Sequence, residues 1–536
     1  MKTKYILSGA LLSLLAASCT DLDVDIKSTY TEFPGSEIAF ESKTADAYFA
    51  FRGALGRRFD EGNSCNSDEY TAISFGGDYL NGRDMANFSL HTISPSASDA
   101  QLGVYSELTS GITKCNQLLY VDLADLGGED SELGAPVRAA RAFYTFVLMD
   151  HWGDTPILDH IVADDEAIAR SPRAEVARWI ESELLAVRDK CPAPATQDAS
   201  TYGKPTRWMV DALLAKLYIN WPVYVNDVTS SSWTYGTNEK LADCIAACDD
   251  VIQHGPFDLS DDYVKKFQYN NGYKIKDFIY VMPFDCVNQQ GLTYGRFRTW
   301  RQANKPGRMY DPAMSNSCGG NMALTPEFVE LFNLPGDRRN DVILGGDIYI
   351  LNGTTGEATS VRATYNDEPL TFTKTITLVT QDGDLDCGKD LNGWCQGYRS
   401  VKFAPYIPEY NSYSRNQSND VPIFRYADII LMKAEAILRG GAATNGDTAV
   451  SLFNQIRSYV GAPTVESINL QDVEDERGRE FLDEHWRRND LIRFGHFERK
   501  WGFKEEFGSS DPRMRLWPLG QSTLNSNANW TQNAGY

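Results

Sequence analysis

Helical periodicity, interrupted by one long stretch that lacks it, is the feature that most constrains this chain. In VRAARAFYTFVLMDH (137–151), Ala140, Phe143, Tyr144, Val147 and Leu148 recur at three- and four-residue spacing and fall on one helical stripe. A stripe of that kind must be buried against another element. The run WGDTP (152–156) ends it, because glycine and proline do not continue a helix. Further helices are predicted over 205–223 (ending near Pro222), 241–253, 427–439, 448–459 and 473–488. Ala139 and Ala142, Ala212 and Ala215, and Ala434 and Ala436 supply small residues that let helices approach closely. Helix-pair repeats of the tetratricopeptide kind need such positions, although no strict 34-residue period is visible. Residues 256–425 read differently, with short strand-like runs (FIYVMPF, VILGGDIYIL, TFTKTITLV, YRSVKF) amid Gly, Asn, Asp and Pro. The sequence therefore predicts a mainly α fold: a helical scaffold at about 37–255 and 420–536, interrupted by a loop-rich portion at about 256–419. Long ordered loops on a rigid scaffold are where binding groups usually lie.

The first residues predict export. Lys2 and Lys4 precede a mostly apolar stretch over 6–17, and Ala16, Ala17 and Ser18 lead into Cys19. This charged, apolar, small-residue order is that of a secretory signal, and the apolar part is too short to span a bilayer. Cleavage before Cys19 would free a thiol for lipid attachment, with 1–18 as the lipoprotein signal peptide. Residues 19–36, polar and acidic, then form a tether beneath a body at 37–536. Several acyl chains make a lasting anchor, at ~0.8 kcal/mol per buried methylene. The alternative is an ordinary signal peptide with a chance cysteine.

The net charge of -22 opposes binding to nucleic acid or to an anionic lipid surface, and favours neutral ligands over strongly anionic ones. Aromatic residues make up 12% of the chain, and their common homes are cores and carbohydrate or peptide faces. Ten cysteines leave an odd number once Cys19 carries lipid. Cys387 and Cys395 could close a small disulfide loop in an exported protein. Cys244 and Cys248 share a helical face near His254, but no further ligands follow at metal-site spacing, so core thiols are expected.

Hydrolase, metalloprotease, phosphate-loop and dinucleotide motifs are absent. ERGREFLDEHWRR (476–488) is dense in carboxylates, and a glycosidase needs a facing pair. Yet Glu476 with Arg479, and Asp483 or Glu484 with Arg487 and Arg488, stand at the spacing of ordinary intrahelical ion pairs. In QDGDLDCGKD (381–390), Asp382, Asp384 and Asp386 alternate as in a calcium loop. Cys387 stands where such a loop needs glycine, which leaves a solvated acidic turn as the favoured reading and Ca²⁺ as the alternative. A sugar site needs flat rings and planar hydrogen-bonding groups. Three glycine-containing stretches offer them. GGDYLNGRD supplies Asp78, Tyr79, Asn81 and Arg83, with Asp68 nearby; GLTYGRFRTWRQ supplies Tyr294, Arg298 and Trp300; NGWCQGYR supplies Trp394 and Tyr398. For each aromatic, local packing is the competing explanation.

Five segments together resemble the SusD/RagB family of Bacteroidetes surface lipoproteins, in that family's order across nearly the whole mature chain. They are RAARAFYTFVLMDHWGDTPIL (138–158), GKPTRWMVDALLAKLYI (203–219), DVPIFRYADIILMKAEAIL (420–438), ERGREFLDEHWRRNDLIRFG (476–495) and the terminal LWPLGQSTLNSNANWTQNAGY. The third contains Arg425, Tyr426, Ala427, Asp428 and Glu435. The resemblance implies about four tetratricopeptide-like helix pairs and a variable irregular portion carrying the ligand site. It implies an outer-membrane location facing outward, and a SusC-like TonB-dependent transporter over which the lipoprotein acts as a hinged lid. It further implies a non-enzymatic role in capturing oligosaccharides, with oligopeptides in RagB-like relatives as the alternative and a surface glycosidase as a third reading.

Overall fold

The computed structural model describes residues 37–293, 309–315 and 320–536. Cys19, with the signal and tether, and Tyr294, Arg298 and Trp300 lie outside the described residues. The architecture is mainly α, as the periodicity predicts. Helices Val104–Gln117, Gly134–Trp152, Arg173–Val187, Arg207–Ile219, Leu241–His254, Tyr426–Leu438 and Ala449–Val460 pack each against the next along the array, and Leu470–Glu480 packs back on Tyr426–Leu438. The fifth of these pairings joins Leu241–His254 to Tyr426–Leu438, so the chain leaves the helical array after one and returns for the other. The departure and return are closed by an antiparallel pair, Phe278–Met282 with Val421–Arg425.

The alanines do what their size allows: Ala139, Ala142, Ala212, Ala215, Ala434 and Ala436 are fully buried between neighbouring helices. Helix ends follow local chemistry. Thr206 caps Arg207–Ile219 by accepting from the Met209 amide, and Thr448 and Ser451 form a reciprocal capping box. Gly461 ends that helix in the left-handed conformation that glycine tolerates without steric cost. No helix among the described residues is long and apolar enough to cross a membrane.

Two sequence expectations fail here. The segment expected to be one helix over 473–488 is two, Leu470–Glu480 and Arg487–Phe494, separated by a turn in which Asp483 (φ 63°) and His485 (φ 60°) are left-handed. The turn redirects the charges. Glu476 does meet Arg479 at 3.1 Å. Glu484, however, turns to Arg425 and Lys402, and Arg487 turns to Asp68. Long-range pairing, which spacing cannot reveal, replaced the expected local ladder. In TFTKTITLV, only Thr371–Phe372 forms a strand.

The loop-rich portion carries its own small core of Met309, Tyr310, Met314, Ile348, Leu351, Phe372, Ile407 and Tyr410 among others. A separate satellite core joins Ile73, Phe75 and Leu90, from early in the chain, to Ile376, Leu378, Leu385 and Cys387 of the insertion. Cys387 is a free thiol, buried like Cys395, so the disulfide loop between them is not formed; Cys244 and Cys248 are buried core thiols.

Candidate ligand-binding site

The loop at 76–84 grows out of the satellite core. Strand Tyr70–Ala72 pairs antiparallel with Met322–Leu324, and Ile73 and Phe75 continue inward. The chain then reverses at Gly76 (φ 61°) and Gly77 (φ 84°), a geometry that costs glycine little. Phe75 and Asp78 close the reversal with reciprocal backbone bonds of 3.0 and 3.3 Å. Beyond it, Tyr79 (φ 66°), Asn81 (φ 42°) and Arg83 (φ 68°) all adopt the left-handed region, which is strained for L residues other than Asn or Asp. The Tyr79 ring is half-buried and edge-on to Phe75, with centroids 6.1 Å apart. Asp78, Asn81 and Arg83 are exposed.

The acidic turn at 381–390 holds this loop. Ser74 donates to the Leu385 carbonyl (3.0 Å) and accepts from the Cys387 amide (2.9 Å). Asp386 Oδ1 accepts from the Gly76 amide (2.7 Å) and the Gly388 amide (2.8 Å). Arg83 Nε meets Asp384 Oδ1 at 2.5 Å. Asp382 Oδ1 accepts from the Asp384 amide at 3.0 Å. The three aspartates are thus spent on hydrogen bonds and an ion pair rather than converging on a common centre. Among the described residues no His, Cys, Asp and Glu cluster is arranged to hold a metal ion. The calcium alternative therefore finds no support in this turn.

The structure brings only some of the sequence candidates together. Asp78, Tyr79, Asn81 and Arg83 share one loop, and Trp394 packs against the same satellite core as Tyr79. Trp394 is half-buried, with its ring edge-on to Tyr365 at 5.3 Å. Asp68 lies apart, its carboxylate held by Arg487 through two bonds of 2.7 Å. Tyr398 is also committed elsewhere. Its ring packs between the main core and the insertion core, and a Cβ at Gly345 would lie 2.4 Å from it. For Asp68 and Tyr398 the packing explanation accounts for the residue fully.

Sequence reasoning missed the segment 413–416. Tyr413 is exposed, and Ser414 and Arg415 are left-handed. Burial, with Arg57 adding to it, holds the Arg415 guanidinium below its ordinary value, and the Tyr79 phenol opposes this from close by. Asn416 accepts from the Gly291 amide (3.1 Å), and Gln417 donates to the Leu292 carbonyl (3.1 Å). The 413–416 segment therefore stands between the Tyr79 loop and the point where GLTYGRFRTWRQ begins. The run YNSYSRNQSND carries the signal that could have found it: tyrosine and arginine in a polar stretch without apolar periodicity.

Chemically, this face offers an aromatic ring, a carboxylate, an amide and guanidinium groups. That inventory suits paired, directional hydrogen bonds to hydroxyls beside a flat apolar surface. The carboxylates of 476–490 offer no comparable opening. Arg425 meets Asp277 Oδ2 at 2.5 Å, Glu480 Oε1 at 2.9 Å and Glu484 Oε2 at 2.7 Å, all buried. Burial alone would raise the Asp277 pKa, but Lys266 and Arg425 hold it well below the carboxylate range. Arg477 likewise bridges Asp428 (2.7 Å) and Asp490 (2.8 Å), and Arg493 binds Glu435 and Asp490. These acids are buried, paired and out of reach of a substrate.

Comparison with known proteins places the fold. The chain is 24% identical over 587 aligned positions to the starch-binding protein SusD of Bacteroides thetaiotaomicron, covering 100% of both chains. The surface glycan-binding protein A of Bacteroides fluxus superposes with a TM-score of 0.69 at 19% identity, over 94% of this chain and 100% of that one. Its counterpart from Bacteroides thetaiotaomicron, solved with laminarihexaose, gives 0.67 at 17% identity over 93% and 99%. The model of the SusD family matches residues 221–536, and the chain belongs to that family.

Proposed function

We propose that this protein is a non-catalytic, cell-surface lipoprotein that binds glycan and delivers oligosaccharides to a SusC-like TonB-dependent transporter of the outer membrane. One observation carries the reading: a loop held in a strained conformation presents Asp78, Tyr79, Asn81 and Arg83 together at the surface. Relatives named for starch and glycan binding support the ligand class. The order of Lys2, Lys4, the apolar run and Cys19 supports a signal peptide at 1–18, a lipid anchor at Cys19 and a tether over 19–36.

In this mechanism a sugar ring lies against the Tyr79 face, where burial contributes roughly 25 cal/mol per Å² of apolar area. Asn81 and Arg83 donate to ring hydroxyls, and Asp78 accepts from them. Trp394 contributes from the neighbouring turn, while Tyr294, Arg298 and Trp300, outside the described residues, stay candidates on their sequence alone. Because the acidic turn fixes the loop beforehand, less ordering entropy is lost on binding.

The test uses the purified body at 37–536 with soluble laminarihexaose, maltoheptaose and a mixed peptide library. Saturable binding of an oligosaccharide that chromatography recovers uncut is the expected result. Binding of peptides alone, or accumulation of shorter sugars, overturns the reading.

A further inference from the structure

A cleft of about 670 Å³ opens on the helical side of the molecule, between the loop at Asp258 and helix Ala449–Val460. It belongs to a different core from the Tyr79 loop. Leu259 and Tyr426 pack on the cluster formed by helices Tyr426–Leu438, Ala449–Val460 and Leu470–Glu480, whereas Tyr79 packs on the satellite core. Its lining combines two half-buried tyrosines, Tyr426 and Tyr459, with the Asp258 carboxylate and the exposed Ser451, Gln455 and Ser458. Leu259 is its single aliphatic contributor. An apolar peptide groove would need the opposite balance, with aliphatic anchors dominating.

One buried residue, Asp277, ties both tyrosines to the scaffold, Tyr459 through Lys266 and Tyr426 through its backbone. The Tyr459 hydroxyl accepts from Lys266 Nζ at 2.6 Å, and Lys266 is paired with Asp277 at 2.5 Å. The Tyr426 amide donates to the Asp277 carbonyl at 2.8 Å. Asp277 is itself locked by Arg425. Asp258 is oriented in turn by the Ser260 amide (2.8 Å) and Lys276 (3.1 Å). A tyrosine ring and a carboxylate held in place ahead of a ligand lower the ordering cost of binding it. The exposed side chains at 451, 455 and 458 lie on one helical face, three and four residues apart, so they line the cleft as a row.

Two other surface cavities among the described residues lack an accessible pair of rings. The 240 Å³ cavity beside helix Glu37–Tyr48 sets Glu41, Glu132 and Lys204 around prolines, and its rings, Phe40 and Tyr48, are buried. The 310 Å³ cavity beside Gly153 is lined by Arg173 and Arg513, which are already committed to backbone carbonyls and to Asp511. The 670 Å³ volume is within the range of small-ligand sites, and its openness to solvent suits the end or flank of a chain rather than an enclosed molecule.

We propose that this cleft is a second saccharide site, binding a short stretch of neutral oligosaccharide through the Tyr426 and Tyr459 rings, Asp258, Gln455 and the serine hydroxyls. It shares its ligand class with the loop site and so rests on the glycan reading, but it uses none of the same residues. A chain engaged at two places on one molecule dissociates more slowly than from either alone, because rebinding at the second place is intramolecular.

The test is calorimetric titration of the purified 37–536 body with laminarihexaose, maltoheptaose and xylohexaose. It compares the wild type, a loop variant (Tyr79→Ala with Asn81→Ala), a cleft variant (Gln455→Ala with Ser458→Trp) and their combination. The cleft substitutions are on exposed helical positions, so the melting temperature should stay within about 2 °C of wild type. The expected result is two sites in the wild type, residual weak binding in the loop variant, and a further loss of at least tenfold when the cleft changes are added. If the loop variant abolishes all binding and the cleft variant equals wild type, the cleft proposal fails and the loop site stands. Failure of all three sugars to bind any form overturns both. Unchanged sugar affinity in the cleft variant with lost capture of the transporter overturns the saccharide assignment in favour of a protein contact.

Discussion

Replacing Asp386 with Ala removes the acceptor that ties the Gly76 amide (2.7 Å) to the Gly388 amide (2.8 Å). The consequence can be worked from the loop it holds. Tyr79 and Arg83 are left-handed non-glycine residues, each carrying roughly 1–2 kcal/mol of backbone cost, and Asn81 carries less. The loop's native shape is therefore disfavoured by about 3 kcal/mol and persists through its attachments. Each hydrogen bond contributes about 0.5–1.5 kcal/mol net, and bonds to a charged acceptor contribute more. Losing both should cost the native loop ~2–3 kcal/mol, comparable to the strain it offsets. Apparent affinity falls with the competent fraction, and ~1.4 kcal/mol is one decade, so glycan binding should weaken tenfold or more. Asp386→Asn, which keeps one carbonyl oxygen, should recover most of it. The loop lies outside the main core, so the melting temperature should move by only a few degrees. Titration calorimetry with the tightest-binding oligosaccharide, paired with thermal unfolding, measures both. Wild-type affinity in a folded Asp386→Ala variant would refute the argument that the turn holds the site. A large drop in melting temperature with affinity intact would make Asp386 a purely structural residue.

Two further predictions concern the scaffold. Arg425→Met leaves Asp277, Glu480 and Glu484 buried beside an apolar chain, and should cost about 3–5 kcal/mol in urea unfolding; a loss below about 1 kcal/mol would contradict it. His151 is buried against Trp517 and Phe59, and its pKa is pushed down to about 3, by burial first and then by Arg488. The unfolded chain takes up that proton below about pH 6.5 and the native state does not, so stability should be full above pH 6.5 and fall progressively towards pH 3. The contribution approaches roughly 4 kcal/mol at the acid end, and His151→Gln should flatten that part of a melting-temperature profile; an unchanged profile would remove His151 as its source.

The helical scaffold was legible because burial leaves a periodic trace. The stripe from Ala140 to Leu148 predicted a helix over 137–151, and Gly134–Trp152 is observed. The apolar run at 278–284 likewise predicted the strand Phe278–Met282. The Leu470–Glu480 and Arg487–Phe494 helices were merged because 481–486 keeps a helical charge pattern. The positive φ at Asp483 and His485, set by tertiary contacts such as the Tyr70 hydroxyl on Asp483, leaves no mark in sequence. The site was half legible for the same reason. Glycine beside Asp78, Tyr79, Asn81 and Arg83 flagged a loop bearing planar groups. The partner that shapes it is 310 residues away at Asp386, and the residue that occupies Asp68 is 419 away at Arg487. Local spacing cannot distinguish a carboxylate awaiting a ligand from one already held by a distant arginine. Tyr398 was ambiguous in the same way, since only the approach of Gly345 shows that its ring is packed.

The central claim is that the 76–84 loop recognises glycan. The most direct measurement is the dissociation constant of the purified 37–536 body for laminarihexaose or maltoheptaose before and after Tyr79→Ala with Asn81→Ala. Loss of one stacked ring and one planar amide should weaken binding by at least tenfold. Both side chains lie at the surface, half-buried and exposed respectively, so thermal unfolding should be nearly unchanged. A variant that unfolds like wild type and binds with undiminished affinity would contradict the account.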